Sequence, residues 1–483
     1  MTSLRAANPG VAETLTPDLC IVGAGAGGLA VATAAAAFGV STVLVEKGAM
    51  GGDRRAAGGI AIAALAAAAR RAADIRAAGA FGLDAKLADI DVARVLAQVR
   101  QAAASFAPDE TQERFEAMGV RVIRVTGRFL DDRTLVAGDV SVRARRFIVA
   151  TGSRPATPDI EGLSETPHLG ADTIFDLASA PAHLGVLGGD PAAIELAQAF
   201  VRLGSRVTLF GGGEALADFD PDMAELLRDR LTRDGVDWRD RAKVRSVAQH
   251  ENGVEISAEG EGGSISCDAL LVATGRTPAI GELDLDRAGV RHGADGIETD
   301  SGLRTSNRRI YAIGDCAAGQ PRMTHAVTEQ AARVARSALF RLSAKADARM
   351  VPRILFTDPE IARCGLSEAE ARAIRDDVVT HRWPFSGNER ARVEHAAQGH
   401  LKVIAMRRGE ILGCAIIGRG ASEMIALWSL AIARKARLND MASLMVAQPT
   451  LSDMARRISL QSLAPVARDR WVRRALSLLR TLG

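Results

Sequence analysis

Apolar residues in this chain fall in short uninterrupted runs rather than in one long stretch. Leu19 to Val22, Ser41 to Val45, Val120 to Val125, Phe147 to Ala150, Leu184 to Leu187 and Arg206 to Phe210 each read as a buried strand. Helix-forming sequence separates them: Ala-rich residues up to Phe38, a long Ala-rich segment after Gly59, and a further stretch from about Asp91 to Met118. From Val351 the pattern changes. Leu401 to Ala405 and Ile411 to Ile417 alternate, which predicts an antiparallel sheet with flanking helices. The order predicts an α/β chain with two Rossmann-like dinucleotide-binding domains and a C-terminal α+β domain. Residues 1–17 read as a loose tail. Residues 18–155 and 279–348 form the first unit, 156–278 the second, 349–460 the third, and 461–483 a basic amphipathic helix.

Chemistry is densest between Leu19 and Glu46. Gly23, Gly25 and Gly28 follow the first strand in Gly-x-Gly-x-x-Gly spacing. Gly23 permits the turn, Gly25 lets the backbone approach a pyrophosphate, and Gly28 lets helix pack on strand. The helix N-terminus offers N–H groups and a positive dipole end to phosphate. Glu46, about 20 residues further on, is placed to accept from a ribose. An adenine dinucleotide is the expected ligand. A second such unit runs from Leu184 through Gly188, Gly189, Asp190, Pro191 and a helix to Arg206–Phe210, and an Ala-Thr-Gly-Arg turn, Ala273 to Arg276, closes it.

Composition narrows the picture. At 483 residues, two to four domains are expected. A net charge of +3 gives no reason to expect a nucleic-acid partner. Cys20, Cys267, Cys316, Cys364 and Cys414 are scattered without a CxxC pair, which fits a reducing, cytoplasmic setting and no zinc site. The N-terminus lacks the apolar core of a signal peptide, and Ile60 to Ala69 is too short to span a bilayer.

Together the motifs resemble the class I pyridine nucleotide-disulfide oxidoreductases, the family of glutathione reductase, dihydrolipoamide dehydrogenase and mercuric reductase. ELAQAFVRLGSRVTL at 195–209 is most similar to the mercuric reductase branch. YAIGDCA at 311–317 resembles the second flavin motif, and VPRILFTDPEIARCGLSEAEA at 351–371 the start of the dimerisation domain. The resemblance implies FAD in the first unit, a nicotinamide nucleotide in the second, and a homodimer whose active sites take residues from both subunits. It implies FAD contacts at Gly23, Gly25, Gly28, Glu46, Lys47, Gly52, Asp53, Gly127, Thr151, Gly152, Arg276, Gly314, Asp315, Thr324 and His325. Asp315 would hold the ribityl chain, and His325 would lie near the pyrimidine end of the ring. NAD(P)H contacts would fall on Gly188, Gly189, Asp190, Glu195 and Gly275.

The chain departs from the family where thiols work. The family's GGxCxxxxC motif and Pro-Ser-Lys fall here on Gly51-Gly52-Asp53-Arg54, Gly59 and Ala61-Ile62-Ala63. Neither sulfur exists, so a dithiol relay has nothing to run on. The catalytic histidine falls on Gln448, an amide that cannot shuttle protons near neutral pH. Its orienting glutamate falls on Asp453, and the lysine partner of Glu195 on Ala63. At the second phosphate turn Asp190 replaces a glycine; Asp190 suits an N-cap and Pro191 the first helical position. A carboxylate there would meet a diphosphate with like charge. Gly211 stands where an acid usually selects NAD, and no arginine adjoins it in sequence for a 2′-phosphate.

The expected function is an FAD-dependent oxidoreductase passing hydride or electrons directly to a small non-disulfide substrate, a flat acceptor such as a quinone or a small anion. Its candidate catalytic residues are Arg54, Gly59, Glu195 and Gln448. Two alternatives stand beside it: a soluble NAD(P) transhydrogenase-like enzyme, and a flavin-loaded structural or regulatory subunit. The C-terminal basic helix is expected to pack back on its own domain, with a peripheral membrane or partner contact as the alternative.

Overall fold

The computed structural model describes residues 13–52, 59–211, 213–239, 241–251, 253–260, 263–342, 348–464 and 470–481. Its first sheet is parallel and five-stranded, in the order Ile310–Ala312, Arg146–Val149, Leu19–Val22, Thr42–Val45, Val120–Ile123. The three inner strands are buried almost throughout, which is why their sequence runs apolar without alternation. Helix Ala26–Ala37 covers one face and packs against helix Thr324–Phe340, so a segment 300 residues downstream completes this unit. The other face carries an antiparallel meander, Gly127–Phe129, Leu135–Ala137 and Val140–Val142.

The second sheet is parallel and four-stranded: Val236–Arg239, Arg206–Gly211, His183–Gly188, Ala269–Ala273. Helices Pro191–Arg202 and Pro221–Asp234 accompany it. A three-stranded antiparallel sheet, Val244–His250, Gly253–Ala258 and Ser264–Cys267, closes a core of Leu187, Phe210, Val247, Ile256 and Leu270. The third unit is a five-stranded antiparallel sheet on which helix Ala421–Ala433 seats the fully buried Trp428.

Two joints hold the units together. Helix Gly59–Arg76 shares one core with helix Pro191–Arg202: Ala61, Ile62, Leu65 and Ala69 cluster with Ile194, Ala197 and Phe200. The far end of Pro191–Arg202 is tied to the third unit. Arg202 pairs with Asp234 at 2.7 Å and Asp358 at 2.8 Å, and Gln198 bonds the Asp358 backbone through both its amide atoms. Burial pushes the Asp358 carboxyl up, and Arg202 outweighs it, leaving it below the usual carboxylate range.

Several sequence expectations are corrected. The loose tail does not extend to residue 17: Glu13–Leu15 is an edge strand parallel to Val140–Val142, while residues 1–12 lie outside the described residues. Three residues carry too little alternation to be read, and their partner is distant in sequence. The stretch Asp91–Met118 is two helices, Val92–Ala104 and Gln112–Ala117, interrupted by a 3-10 turn containing Pro108, which cannot continue an α-helix. Residues 461–483 are not one helix. Asp453–Ser462 finishes the third unit and Arg470–Thr481 is separate. That last helix does not bury its apolar stripe on its own domain. Its described side chains are exposed except the half-buried Val472.

Candidate functional site

A cleft of about 2090 Å³ runs along the first unit, past the second phosphate turn, to the head of the third sheet. Its floor begins at the first glycine loop. Gly23 has φ +104°, and a Cβ there would stand 2.4 Å from the Ala150 carbonyl oxygen. A Cβ on Gly28 would stand 1.8 Å from the Gly23 carbonyl oxygen, so helix and strand touch through backbone alone. Gly25 differs: a Cβ there meets nothing within 4 Å, because this glycine faces the cleft. Among the described residues no side-chain cap bond is made at the start of helix Ala26–Ala37, and Gly25 and Ala26 line the cleft. An open N-terminus with a positive dipole end fits a pyrophosphate.

Glu46 lines the same wall and accepts from Ala24 N and Gly48 N, both at 2.6 Å, one on each carboxylate oxygen. Each oxygen keeps a second acceptor position for a ribose. Lys47 and Glu282 pair at 2.6 Å at the cleft's edge. Further along, Ser153 Oγ donates to Asp315 at 2.6 Å, and Arg276 Nε donates to Ser153 Oγ at 2.6 Å. The buried Thr151 hydroxyl has the Cys316 thiol beside it and no nitrogen or oxygen partner. Helix Thr324–Phe340 presents its own uncapped N-terminus here, with Thr324 and His325 on the cleft wall and His325 Nε2 2.8 Å from the Pro352 carbonyl oxygen. Gly52, Gly127, Gly152 and Gly314 line the cleft as well. An elongated cradle with two helix ends facing it and a paired acid fits a flavin dinucleotide.

The second phosphate turn is closed. Asp190 caps helix Pro191–Arg202 by accepting from Ala192 N at 3.0 Å, as its sequence position implies. Burial raises the Asp190 carboxyl above its ordinary range. Gly189 and Gly275 share the cleft, while Gly188 is buried beneath them with its Cβ position 2.4 Å from the Ala273 carbonyl oxygen. Gly211 has φ +87°, so an acid there would be strained on this backbone. The sequence shows no arginine beside Gly211, yet the fold brings one near: Arg239 stands opposite Phe210 on the adjacent strand, 5.7 Å from its ring.

No thiol faces the cleft. All five cysteines are buried in sheets or under them, and none lines the cleft. Burial pushes every thiol up, Cys267 to about 11 and Cys364 to about 12. Gly59 opens the helix that walls the cleft, and a Cβ on it would meet nothing within 4 Å. On the same cleft Glu195 is buried and accepts from Phe356 N at 2.7 Å. Burial and the neighbouring Asp190 push Glu195 up to about 7.

Two expected residues, Asp53 and Arg54, lie outside the described residues. Gln448 does not join the others within one chain. It is exposed, donates to Asp453 at 3.2 Å, and stands away from the cleft. Arg457 holds the other Asp453 oxygen at 2.8 Å. Ser153, Asp218 and Arg353 were missed. Ser153 follows the Ala-Thr-Gly turn and was within reach of sequence reasoning. Arg353 pairs with Asp218 across two units, a contact that nothing local announces. Among the described residues there is no metal-binding cluster and no helix long and apolar enough to cross a membrane.

The chain belongs to the pyridine nucleotide-disulphide oxidoreductase family. The family's profile matches residues 17–331, and its dimerisation-domain profile matches residues 351–458, which supports a homodimer. Members are FAD-dependent oxidoreductases with NAD(P)H as electron donor. Among curated relatives, the chain is 30% identical over 420 residues to a mercuric reductase of Staphylococcus aureus, covering 86% of this chain and 77% of that one. It is 33% identical over 449 residues to a dihydrolipoyl dehydrogenase of Geobacillus stearothermophilus, covering 91% and 94%. Among solved structures, the HOCl-induced flavoprotein disulfide reductase RclA of Escherichia coli superposes with a TM-score of 0.80 at 24% identity, over 92% of this chain and 99% of that one. LpdA of Mycobacterium tuberculosis gives 0.82 at 24% identity with the same coverage. These two establish the fold alone.

Proposed function

We propose that this protein is an FAD-dependent oxidoreductase that passes electrons directly between its flavin and a small non-disulfide substrate, with NAD(P)H as donor. The observation that carries this reading is that none of the five thiols lines the cleft, in keeping with a sequence register in which Gly59 falls where the resemblance puts a sulfur. FAD bound along the cradle supplies two-electron transfer at its ring. The chain's own residues do the rest. The open N-terminus at Gly25 and Ala26 binds diphosphate, Glu46 holds ribose, and Asp315, fixed by Ser153 and Arg276, orients the linking chain. Glu195 holds a proton at its free carboxyl oxygen and, titrating about 7, exchanges it at the cleft near neutral pH. Residues 18–155 and 279–348 act as the flavin domain and 156–278 as the nicotinamide side.

An anaerobic titration of the yellow protein with NADH and NADPH, followed by a screen of quinone and small-anion acceptors, tests this. Turnover should persist in phenylarsine oxide, which bridges neighbouring thiols. Arsenical inhibition, or turnover of lipoamide or oxidised glutathione, would overturn the proposal. The Asp190 cap favours a second reading, a flavin-loaded subunit without turnover. Failure of both nucleotides to bleach a flavin that dithionite does reduce would select it.

A further inference from the structure

The helix Arg470–Thr481 stands apart from the chemistry. At 100° per residue, Trp471, Val472, Ala475, Leu476, Leu478 and Leu479 fall in one arc of roughly 160°. Arg470, Arg473, Arg474, Ser477 and Arg480 fill the rest, with no residue out of place. The helix contains no acid. Its apolar side is open to solvent: Trp471 is 65% exposed, Leu476 51%, Leu478 66% and Leu479 61%. The Arg474 guanidinium lies 5.3 Å from the Trp471 ring centre, at the boundary between the two arcs.

We infer that this helix is a membrane-surface anchor that lays the enzyme on an anionic bilayer. Twelve residues make about 18 Å of helix, too short to span a bilayer and long enough to lie in its interface. Leucines on one side enter the acyl boundary, while arginines flanking the arc reach lipid phosphates. Trp471 has the amphipathic ring favoured at that depth. A nucleic-acid contact would leave the leucine arc in water. A protein groove would have no need of cations on every part of the opposite arc. The dimer supported by the residue 351–458 match carries two copies, so a second helix engages at high effective concentration once the first has bound.

Flotation of the FAD-loaded, full-length protein tests the inference. Vesicles of phosphatidylcholine alone are compared with vesicles that also contain phosphatidylglycerol. The expected result is at least tenfold more protein floating with the anionic vesicles. Raised salt should weaken the effect, and a blue shift of Trp471 fluorescence should accompany it. Leu476→Glu with Leu479→Glu, or removal of residues 464–483, should abolish flotation while leaving bound flavin unchanged. Because these side chains are exposed, the substitutions leave the core intact. Flotation of the truncated protein equal to that of the full chain would overturn the anchor. So would a wild type that floats with neither vesicle but is larger in solution than the truncated form, since the helix would then dock on a second copy.

Discussion

Gly25 and Gly28 share one turn and predict opposite outcomes for the same substitution. Gly28→Ala puts a methyl 1.8 Å from a carbonyl oxygen, and we expect little folded protein. Gly25→Ala meets only open cleft, so the melt should move by no more than about 1 kcal/mol while bound flavin falls at least tenfold. Flavin content per chain, measured beside a thermal melt, separates the two. Glu195 gives a pH-dependent prediction. Its carboxyl has an ordinary value of 4.5 and is raised to about 7 in the fold. Between those values the native chain keeps a proton that the unfolded chain has released, so stability falls as pH rises through that window and levels off above it. The loss is on the order of 3 kcal/mol. Glu195→Gln should flatten the slope, as urea midpoints at about pH 5 and about pH 8 would reveal. Equal slopes in both proteins would mean that Glu195 is ionised throughout.

At the scale of elements, two helix starts in equivalent positions behave differently. Ala26–Ala37 begins uncapped at Gly25, whereas Pro191–Arg202 begins under the Asp190 carboxylate. Asp190→Gly removes a like charge from the nucleotide's path at a cost of a few tenths of a kcal/mol. We expect NADH or NADPH to bind at least tenfold tighter, read from the concentration dependence of flavin bleaching. Affinity unchanged by this substitution would show that the cap does not obstruct the nucleotide. The other end of that helix predicts a stability effect. Arg202→Met strips Asp358 of its paired cation and leaves Asp234 with Arg230 alone, and should cost about 3 kcal/mol in denaturant unfolding. Strand–glycine–helix units were legible because their signals are local and spaced by the ligand's own dimensions. The Gly127–Phe129, Leu135–Ala137 and Val140–Val142 meander was not, since three-residue strands carry almost no periodicity.

For the whole molecule, the expected particle is a dimer of twice the 50.8 kDa chain mass, checked by light scattering at micromolar concentration. A monomer there would remove Gln448 from any role at the cleft, because within one chain it stands outside. The absence of any cysteine between Cys20 and Cys267 is plain from the sequence, and the place of Gly59 after Gly51-Gly52 is a reading of register. The Ser153–Asp315–Arg276 cluster was not plain there, because two short paired strands and a 3-10 turn, all distant in sequence, bring it together. Likewise Arg239 reaches the Gly211 strand end only through sheet pairing.

The helix that starts at Gly59 is rooted in the hydrophobic interior of the neighbouring unit, against Ile194, Ala197 and Phe200. A swing of residues 156–278 about a hinge would therefore drag Gly59 and its helix with it. The cleft wall at Gly59 and the turn at Asp190 are tied through that shared core, so a motion that widened the cleft at one would change it at the other.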